Sequence, residues 1–389
     1  MSNKIYYAPH YFQAYNEDEI DAVNKCLKDG YLAGTGKYTI EFENKMAELF
    51  GKKYGLFVNS GSSAIILGLS ALELPKNSEI ITPACTFATT LAPILQLGHN
   101  PVFIDVELDK YVPSLDMIVE KITENTKMIL LPNLVGNTPN WYELKKYLEK
   151  INRNDIILFE DSADTIIYTP WTDISTTSFY SSHIITACGS GGMVMFNCEN
   201  LCKRATMYRD WGRIGNNCEE MNERFQYKIE GTDIYYDFKF LYGVVGYNMK
   251  SSEVNAAFGL IQVEKLPKFI EIRRRNFNIY MNELKDYEKY GLILPKEDNE
   301  KNWLAFPLQY HDRYGLLIHL EENNIQTRVL FSGNITRHPA FRQYCTEYKN
   351  ADIIMKDGFL VGCHHGMSEE DVMYVCNKIK EYIDMQHTK

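Results

Sequence analysis

The chain has 389 residues, of which 45% are apolar and 24% charged, as expected for an ordinary globular protein. Its net charge of −10 argues against a nucleic-acid partner, which would require a basic face. The sequence contains neither the apolar run of a signal peptide nor a stretch long enough for a transmembrane helix, so we expect no membrane partner. Nine scattered cysteines favour reduced thiols and a cytoplasmic location.

Short β-branched runs alternate with longer amphipathic stretches over the first two-thirds of the chain. Buried strands are predicted at 54–58, 101–105, 128–132 and 156–160, with helices at 62–72, 114–124 and 141–150. This alternation predicts an α/β layer fold with a largely parallel sheet. Ligands of such sheets bind beyond the carboxyl ends of the strands, so the residues after each strand are the site candidates.

The pattern changes after residue 252. Helical periodicity dominates from there, with weak strand signals near 302–308 and 327–330. We therefore predict a large domain at 1–252, which includes an N-terminal arm, and a small C-terminal domain at 253–389.

Three polar segments are candidates for a site. Residues 59–64 (Asn-Ser-Gly-Ser-Ser-Ala) follow a strand and open a helix, whose N-terminal N–H groups can bind an anion. Asp161 follows the strand 156–160, where a carboxylate can pair with a pyridinium nitrogen. Residues 178–183 end in His183, ahead of a glycine-rich turn. Taken singly, each segment also fits a structural role: a serine N-cap, a helix cap and a packing histidine.

In this order the three segments resemble the DegT/DnrJ/EryC1/StrS sugar aminotransferase family, whose members act on nucleotide-linked keto sugars. Further matching segments are 82–89, 133–137 (Asn-Leu-Val-Gly-Asn) and 246–250 (Gly-Tyr-Asn-Met-Lys), so the resemblance covers nearly the whole chain. It implies the aspartate aminotransferase fold: a large domain with a mostly parallel sheet between helices, and a smaller α+β domain.

The resemblance also implies pyridoxal 5'-phosphate as cofactor and assigns residues to its ring. Phe87 should stack on the pyridine, and Asp161 should pair with the ring nitrogen. Asp164 occupies the position of a side chain that reaches the ring hydroxyl, and Ala163 belongs to the same cofactor-binding segment.

The phosphate of the cofactor has its own implied residues. Gly61, Ser62 and Ser178 should bind it, with Ser63 beside them in the same turn. Asn248 should reach the phosphate of the neighbouring subunit, which implies a homodimer with shared active sites.

One position departs from the aminotransferases. Their lysine, which forms a Schiff base with the cofactor, is replaced here by His183. An imidazole cannot form that bond, but it can move protons near neutral pH, since its ordinary pKa is about 6.5. The replacement resembles a subgroup of nucleotide-sugar 3-dehydratases, as do the segments 209–213 and 327–334. The alternative, a decayed aminotransferase, does not account for the intact cofactor positions.

The subgroup contains enzymes with and without an iron–sulfur cluster. The clustered enzymes carry a Cys-x-Cys directly after the segment 209–213, where this chain has Ile214 and Asn216. Cys218 stands alone nearby, and Cys198 and Cys202 have the spacing of a helix face. Since a cluster generally needs four thiolates, we predict no metal and favour the cluster-free branch.

The implied reaction is glutamate-dependent. L-Glutamate would convert the cofactor to pyridoxamine 5'-phosphate, which would remove the C3 hydroxyl of a nucleotide-linked 4-keto-6-deoxy sugar, hexose or heptose, with GDP as the preferred nucleotide. The product, a 3,6-dideoxy-4-keto sugar, would serve surface polysaccharide biosynthesis. Arg209, Arg328 and Arg337 are the candidates for binding substrate. The alternatives are a 4-aminotransferase, a CDP-sugar 3-dehydratase that works with a reductase, and a non-enzymatic sensor or scaffold.

Overall fold

A computed structural model describes residues 4–215, 220–296 and 301–387. Its main feature is a seven-stranded sheet in the order β1-β7-β6-β5-β4-β2-β3, in which only β7 runs antiparallel to its neighbours. The strands are β1 (Tyr54–Val58), β2 (Glu79–Pro83), β3 (Asn100–Ile104), β4 (Thr126–Pro132), β5 (Ile157–Asp161), β6 (Ile174–Ser178) and β7 (Gly192–Phe196). The prediction of a largely parallel α/β sheet is therefore confirmed, with the strand at 54–58 placed to the residue.

Helices cover both faces of this sheet. They are α1 (Glu17–Asp29), α2 (Lys37–Leu49), α3 (Gly61–Leu72), α4 (Ala88–Gln96), α5 (Leu115–Val119), α6 (Trp141–Lys150), α7 (Glu199–Arg209), α8 (Met221–Arg224), α9 (Glu253–Leu284), α10 (Arg313–Glu322), α11 (Lys349–Asp357) and α12 (Glu369–His387). One face packs against α3, α4 and α7, and the other against α2, α5, α6 and the start of α9. Among the described residues, none of the helices combines the length and the apolarity that crossing a bilayer requires.

Capping side chains explain where several of these helices begin. Ser60 accepts the N–H of Ser63 at the start of α3, and Asn140 accepts that of Glu143 at the start of α6. The predicted helix 114–124 is shorter than expected and ends at Val119. Its polar continuation folds into turns, because the Thr126 hydroxyl accepts the N–H of Thr123 in place of a helical carbonyl.

The C-terminal part contains a second, antiparallel sheet. Its strands are β10 (Ala305–Gln309), β11 (Arg328–Val329) and β12 (Gly358–Gly362), in the order β10-β12-β11. Earlier in the chain, β8 (Tyr227–Lys228) and β9 (Tyr235–Tyr236) form a separate two-stranded ribbon. The predicted window near 302–308 covers β10 except for its last residue, and the window near 327–330 contains β11. The long helix α9 packs against both sheets: Leu260 lies in the core of the large sheet, and Tyr280 lies in the core of the small one.

Glu253, the first residue of α9, ties that helix to the start of α2. Its buried carboxylate accepts the N–H groups of Gly36, Tyr38 and Thr39 and the Thr39 hydroxyl. The negative charge also lies at the N-terminus of α2, where the helix dipole favours it.

We predict that Glu253→Ala lowers the free energy of unfolding by about 2–4 kcal/mol, because it leaves several buried N–H donors without an acceptor. Denaturant unfolding measures this loss. Glu264→Ala on the same helix is the control: its side chain is 61% exposed, so its loss should stay within about 0.5 kcal/mol. Equal losses in the two variants would contradict the role of Glu253.

Candidate active site

A cavity of about 530 Å³ opens at the carboxyl edge of the large sheet. The turns after β1, β2, β4, β5 and β6 form one side of it, and the small sheet with the N-terminal arm forms the other. Nine of the residues proposed from the sequence line this one cavity: Gly61, Ser62, Phe87, Asp161, Ala163, Asp164, Ser178, His183 and Arg328.

The start of α3 forms an anion cradle at one end of the cavity. A Cβ on Gly61 would lie 2.8 Å from the Cβ of Ser178, so only glycine lets the helix come this close to β6. Ser62 donates to the Thr89 hydroxyl at 3.0 Å, which joins this end to α4. Serine hydroxyls and the first N–H groups of a helix are donors that suit a phosphate. Ser63, by contrast, faces away and donates to Asn59 at 2.6 Å.

Asp161 occupies the end of β5 and faces the cavity. Its Oδ2 accepts the Thr90 hydroxyl at 2.6 Å, and burial raises the pKa of the carboxyl to about 6. A desolvated carboxylate of this kind gains stability from a cation beside it. A protonated ring nitrogen is such a partner.

His183 and Asp164 meet at the centre of the cavity. The Nδ1 of His183 lies 3.8 Å from the Oδ1 of Asp164, and the other Asp164 oxygen accepts the N–H of Val135 at 2.8 Å. Burial raises the pKa of Asp164 to about 7, while burial and the charge of Arg273 lower that of His183 to about 4. Near neutral pH the imidazole is therefore an unprotonated base.

The surroundings of His183 leave this base free to act. Among the described residues, no group forms a hydrogen bond with its buried Nδ1. A buried polar atom without a partner leaves a position that a bound ligand can complete. Together with the cradle at Gly61 and the desolvated Asp161, it forms a donor and acceptor set that fits a planar, phosphorylated pyridine.

Aromatic side chains provide the flat walls of the cavity. Phe87, the N-cap of α4, is 51% exposed, and its ring makes an edge contact with Phe331 at 6.2 Å between centroids. Tyr7 and Tyr180 complete the opposite side. Sequence reasoning assigned no role to Tyr7, Tyr180 or Phe331. Tyr180 and Phe331 fall within the segments 178–183 and 327–334, but nothing distinguishes Tyr7 among the 27 tyrosines of the chain.

Two of the three arginines proposed for substrate lie away from the cavity. Arg209 is buried, where it donates to Asp210 at 2.8 Å and to the Phe57 carbonyl at 3.1 Å. Arg337 forms a two-point ion pair with Asp352 at the surface. Their guanidinium groups are thus engaged within the fold, and Arg328 is the arginine of the three that lines the cavity.

Asn248 is exposed and pairs through its backbone with Asp210, outside the cavity wall. In the described part of the chain, no group of three or more His, Cys, Asp or Glu side chains could hold a metal ion. Cys198 and Cys202 lie at the start of α7. The interpretation of Asn216 and Cys218 falls on residues outside the described ranges.

The profile of the DegT/DnrJ/EryC1/StrS aminotransferase family matches residues 13–380. The chain belongs to this family. The solved structure of a GDP-4-keto-6-deoxymannose-3-dehydratase, a histidine-to-asparagine variant with bound GDP-perosamine, superposes with a TM-score of 0.84 at 26% identity. The match covers 97% of this chain and 100% of that one, so the aspartate aminotransferase-like fold implied by the sequence is confirmed.

Related proteins of known name include both dehydratases and an aminotransferase. The dTDP-4-dehydro-2,6-dideoxy-D-glucose 3-dehydratase of Saccharopolyspora spinosa is 35% identical, over 94% of this chain and 84% of its own. The GDP-4-keto-6-deoxy-D-mannose 3-dehydratase of Escherichia coli O55:H7 is 30% identical, over 93% and 96%. The GDP-perosamine synthase of Escherichia coli O157:H7 is 27% identical, over 97% and 98%.

Proposed function

We propose that this protein is a pyridoxal phosphate- and glutamate-dependent 3-dehydratase. It would convert a nucleotide-linked 4-keto-6-deoxy sugar to a 3,6-dideoxy-4-keto sugar and release ammonia. The observation that carries the proposal is His183: an unprotonated imidazole beside Asp164 takes the place of the Schiff-base lysine, at the centre of a cavity that fits the cofactor.

The side chains of the cavity would hold the cofactor from four directions. Asp161 pairs with the ring nitrogen, Phe87 stacks on the ring, and Asp164 faces the ring hydroxyl. The cradle of Gly61, Ser62 and Ser178 takes the phosphate. When bound, the cofactor supplies an electron sink and carries the amino group from glutamate to the sugar.

His183 would perform the proton transfers. Its lowered pKa keeps the imidazole unprotonated at neutral pH and so able to accept a proton, and the carboxyl of Asp164 lies 3.8 Å from its Nδ1. Because an imidazole forms no lasting bond to the cofactor, the protein also lacks the amine that would complete a transamination in place. This favours loss of the C3 hydroxyl over formation of a stable amino sugar.

Arg328 is our candidate for an anionic group of the substrate or of glutamate. Its guanidinium lies 5.7 Å from the ring centre of Tyr7 and donates one nitrogen to the Thr327 carbonyl, which leaves further N–H donors for a ligand in the cavity. We propose GDP as the nucleotide, because a GDP-4-keto-6-deoxy-D-mannose 3-dehydratase is among the relatives.

We also propose a homodimer with shared active sites. Near Asn248 the chain exposes large apolar side chains, among them Trp211, Ile214, Tyr242 and a Val245 that is 95% exposed. An apolar surface of this kind marks an interaction site. A second copy placed there would bring Asn248 towards the neighbouring phosphate.

A 4-aminotransferase is the second candidate, favoured by the similarity to a GDP-perosamine synthase. The decisive experiment incubates the protein with pyridoxal phosphate, glutamate and a panel of GDP-, CDP- and UDP-linked 4-keto-6-deoxy sugars. We expect ammonia and a dideoxy product by mass spectrometry. A stable amino sugar without ammonia would establish the aminotransferase, and no turnover of any sugar would refute both enzymes.

The cofactor should bind without a covalent link. We predict that borohydride treatment in the presence of pyridoxal phosphate leaves the peptide with His183 unmodified and the cofactor removable by dialysis. Mass spectrometry of the peptides reads the result, with an untreated sample as control. A reduced adduct on Lys250, whose amine lies 3.5 Å from Asp210, would contradict our site.

A further inference from the structure

Residues 301–304, which we call the strap, lie between helix α9 and the turn that follows β4 and form hydrogen bonds with both. Arg273 of α9 donates one guanidinium nitrogen to the carbonyls of Trp303, at 3.3 Å, and Leu304, at 2.9 Å. Arg274 donates to the carbonyl of Lys301 at 2.5 Å. Two consecutive arginines of α9 thus form hydrogen bonds with the backbone of the strap.

On its other side, the strap packs against the turn at 134–136. The N–H of Leu304 donates to the carbonyl of Val135 at 2.7 Å. A Cβ on Gly136 would lie 2.6 Å from the carbonyl oxygen of Asn302, so the two segments pack backbone to backbone. Val135 adopts φ 59° and ψ −1°, a left-handed conformation that β-branched residues avoid. Strain of this kind persists only where surrounding contacts impose it.

The strained residue leads directly to the catalytic pair. The N–H of Val135 donates to Asp164 at 2.8 Å, and the other Asp164 oxygen lies 3.8 Å from the Nδ1 of His183. A continuous series of contacts therefore runs from Arg273 through Leu304, Val135 and Asp164 to the imidazole.

Arg273 itself is an unusual residue for such a place. Its side chain is 1% exposed, and among the described residues its Nε and Nη2 atoms have no hydrogen-bond partner. A buried cation without an acid partner costs stability, so a role beyond packing has to be considered for it. Its charge opposes protonation of His183 and of the nearby His364.

We propose that Arg273 is a positioning residue for His183: it fixes the strap, the strap fixes the Val135 N–H, and that N–H fixes Asp164 at the imidazole. This role rests on the proposed function, since it gains a catalytic meaning only if His183 transfers the proton. Arg273 is not part of the cavity lining and acts through these intermediates.

The test compares Arg273→Met and Arg273→Lys with the control Arg275→Met. Arg275 lies on the same helix and donates to the Met367 carbonyl, away from the strap. In cofactor-free protein, the rate at which diethyl pyrocarbonate modifies the His183 peptide is followed against pH by mass spectrometry. Asp164 and Arg273 are the charged groups nearest His183, and Asp161, Tyr7, Tyr180 and Arg328 face the same cavity.

We expect Arg273→Met to move the midpoint of this pH profile modestly upwards from about 4, because it removes the charge of Arg273 but leaves burial, the larger cause of the low pKa of His183. Arg273→Lys keeps the charge but not both carbonyl bonds, so its midpoint should stay low. In the dehydration assay both variants should lose about 10- to 100-fold in kcat with KM nearly unchanged, because a small displacement of a catalytic group is costly.

Two outcomes would overturn the proposal: an Arg273→Met variant that matches Arg275→Met in midpoint and kcat, or an Arg273→Lys variant with the kcat of the parent. If Arg273→Met does not fold, Arg273→Lys decides alone. The modification profile needs neither cofactor nor turnover. A parent protein that dehydrates no sugar would therefore refute the proposed function, while the midpoint shift of the Arg273 variants could still be measured.

Discussion

Replacing His183 with asparagine should abolish ammonia release from the keto sugar while leaving the fold and cofactor binding intact. The amide keeps a polar side chain in the cavity but cannot accept and return a proton at neutral pH. A positioned acid–base group contributes about 10²- to 10⁴-fold in rate, so we expect a loss in that range. The related 3-dehydratase structure with bound GDP-perosamine is itself a histidine-to-asparagine variant, which indicates that the exchange is compatible with the fold of that protein.

The measurement is ammonia release in the presence of glutamate, together with a thermal melt and a cofactor titration. The exposed His311, remote from the cavity lining, provides the control His311→Asn, which should retain full activity. If His183 served only for packing, the variant would lose stability before it lost turnover. Full ammonia release by a well-folded His183→Asn protein would remove His183 from the mechanism.

The proposed site residues lie together because they occupy or follow the ends of strands. Gly61 opens the helix after β1, while Asp161 and Ser178 end β5 and β6, and the parallel sheet brings all three to one edge, as the strand pattern predicted. The substitution at His183 could also be identified from its place in a known motif. These positions depend on local motifs and on the order of the strands, and both can be predicted from the sequence.

Other features depend on long-range contacts and leave no such pattern. Strand β6 is a buried run of Ser and Thr that reads as polar, yet its hydroxyls are satisfied internally: Ser175 donates to Glu160 at 3.0 Å and Thr177 to the Ser162 carbonyl at 2.9 Å. Arg209 could not be told from a substrate-binding arginine, since its burial and its bond to the distant Phe57 carbonyl cannot be seen in the sequence. The domain boundary near 252 stays a prediction.

Replacing Asp161 with asparagine should weaken binding of pyridoxal phosphate by roughly 10²- to 10³-fold. The variant keeps the Thr90 contact but removes the charge that pairs with the ring nitrogen. Breaking a buried ion pair costs about 3–5 kcal/mol, which corresponds to a change of this size in Kd. An absorbance titration of cofactor-free protein with pyridoxal phosphate measures it.

The neighbouring Glu160 offers a matched control with the opposite behaviour. Its carboxylate faces away from the cavity and accepts hydrogen bonds from the Asn133 amide and from the hydroxyls of Thr169, Thr172 and Ser175. Glu160→Gln turns one acceptor into a donor that faces other donors. We expect it to lower the free energy of unfolding by about 1–3 kcal/mol while the affinity for the cofactor stays close to that of the parent.

The same substitution at Asp161 should make the cofactor-free protein more stable at alkaline pH. The folded-state pKa of Asp161, about 6, lies above the ordinary value of 3.8, so the folded state binds its proton more tightly than the unfolded state does. Stability from this residue is complete below pH 4 and falls as the pH rises through 6, by about 2–3 kcal/mol at pH 8. Asp161→Asn lacks this loss, although Asp164 still contributes one of the same sign. Denaturant unfolding at pH 4 and pH 8, without cofactor, should therefore show a gain for the variant at pH 8 that is nearly absent at pH 4. Equal stability of variant and parent at both values, or unchanged cofactor affinity, would mean that Asp161 is not the desolvated partner of a ring nitrogen.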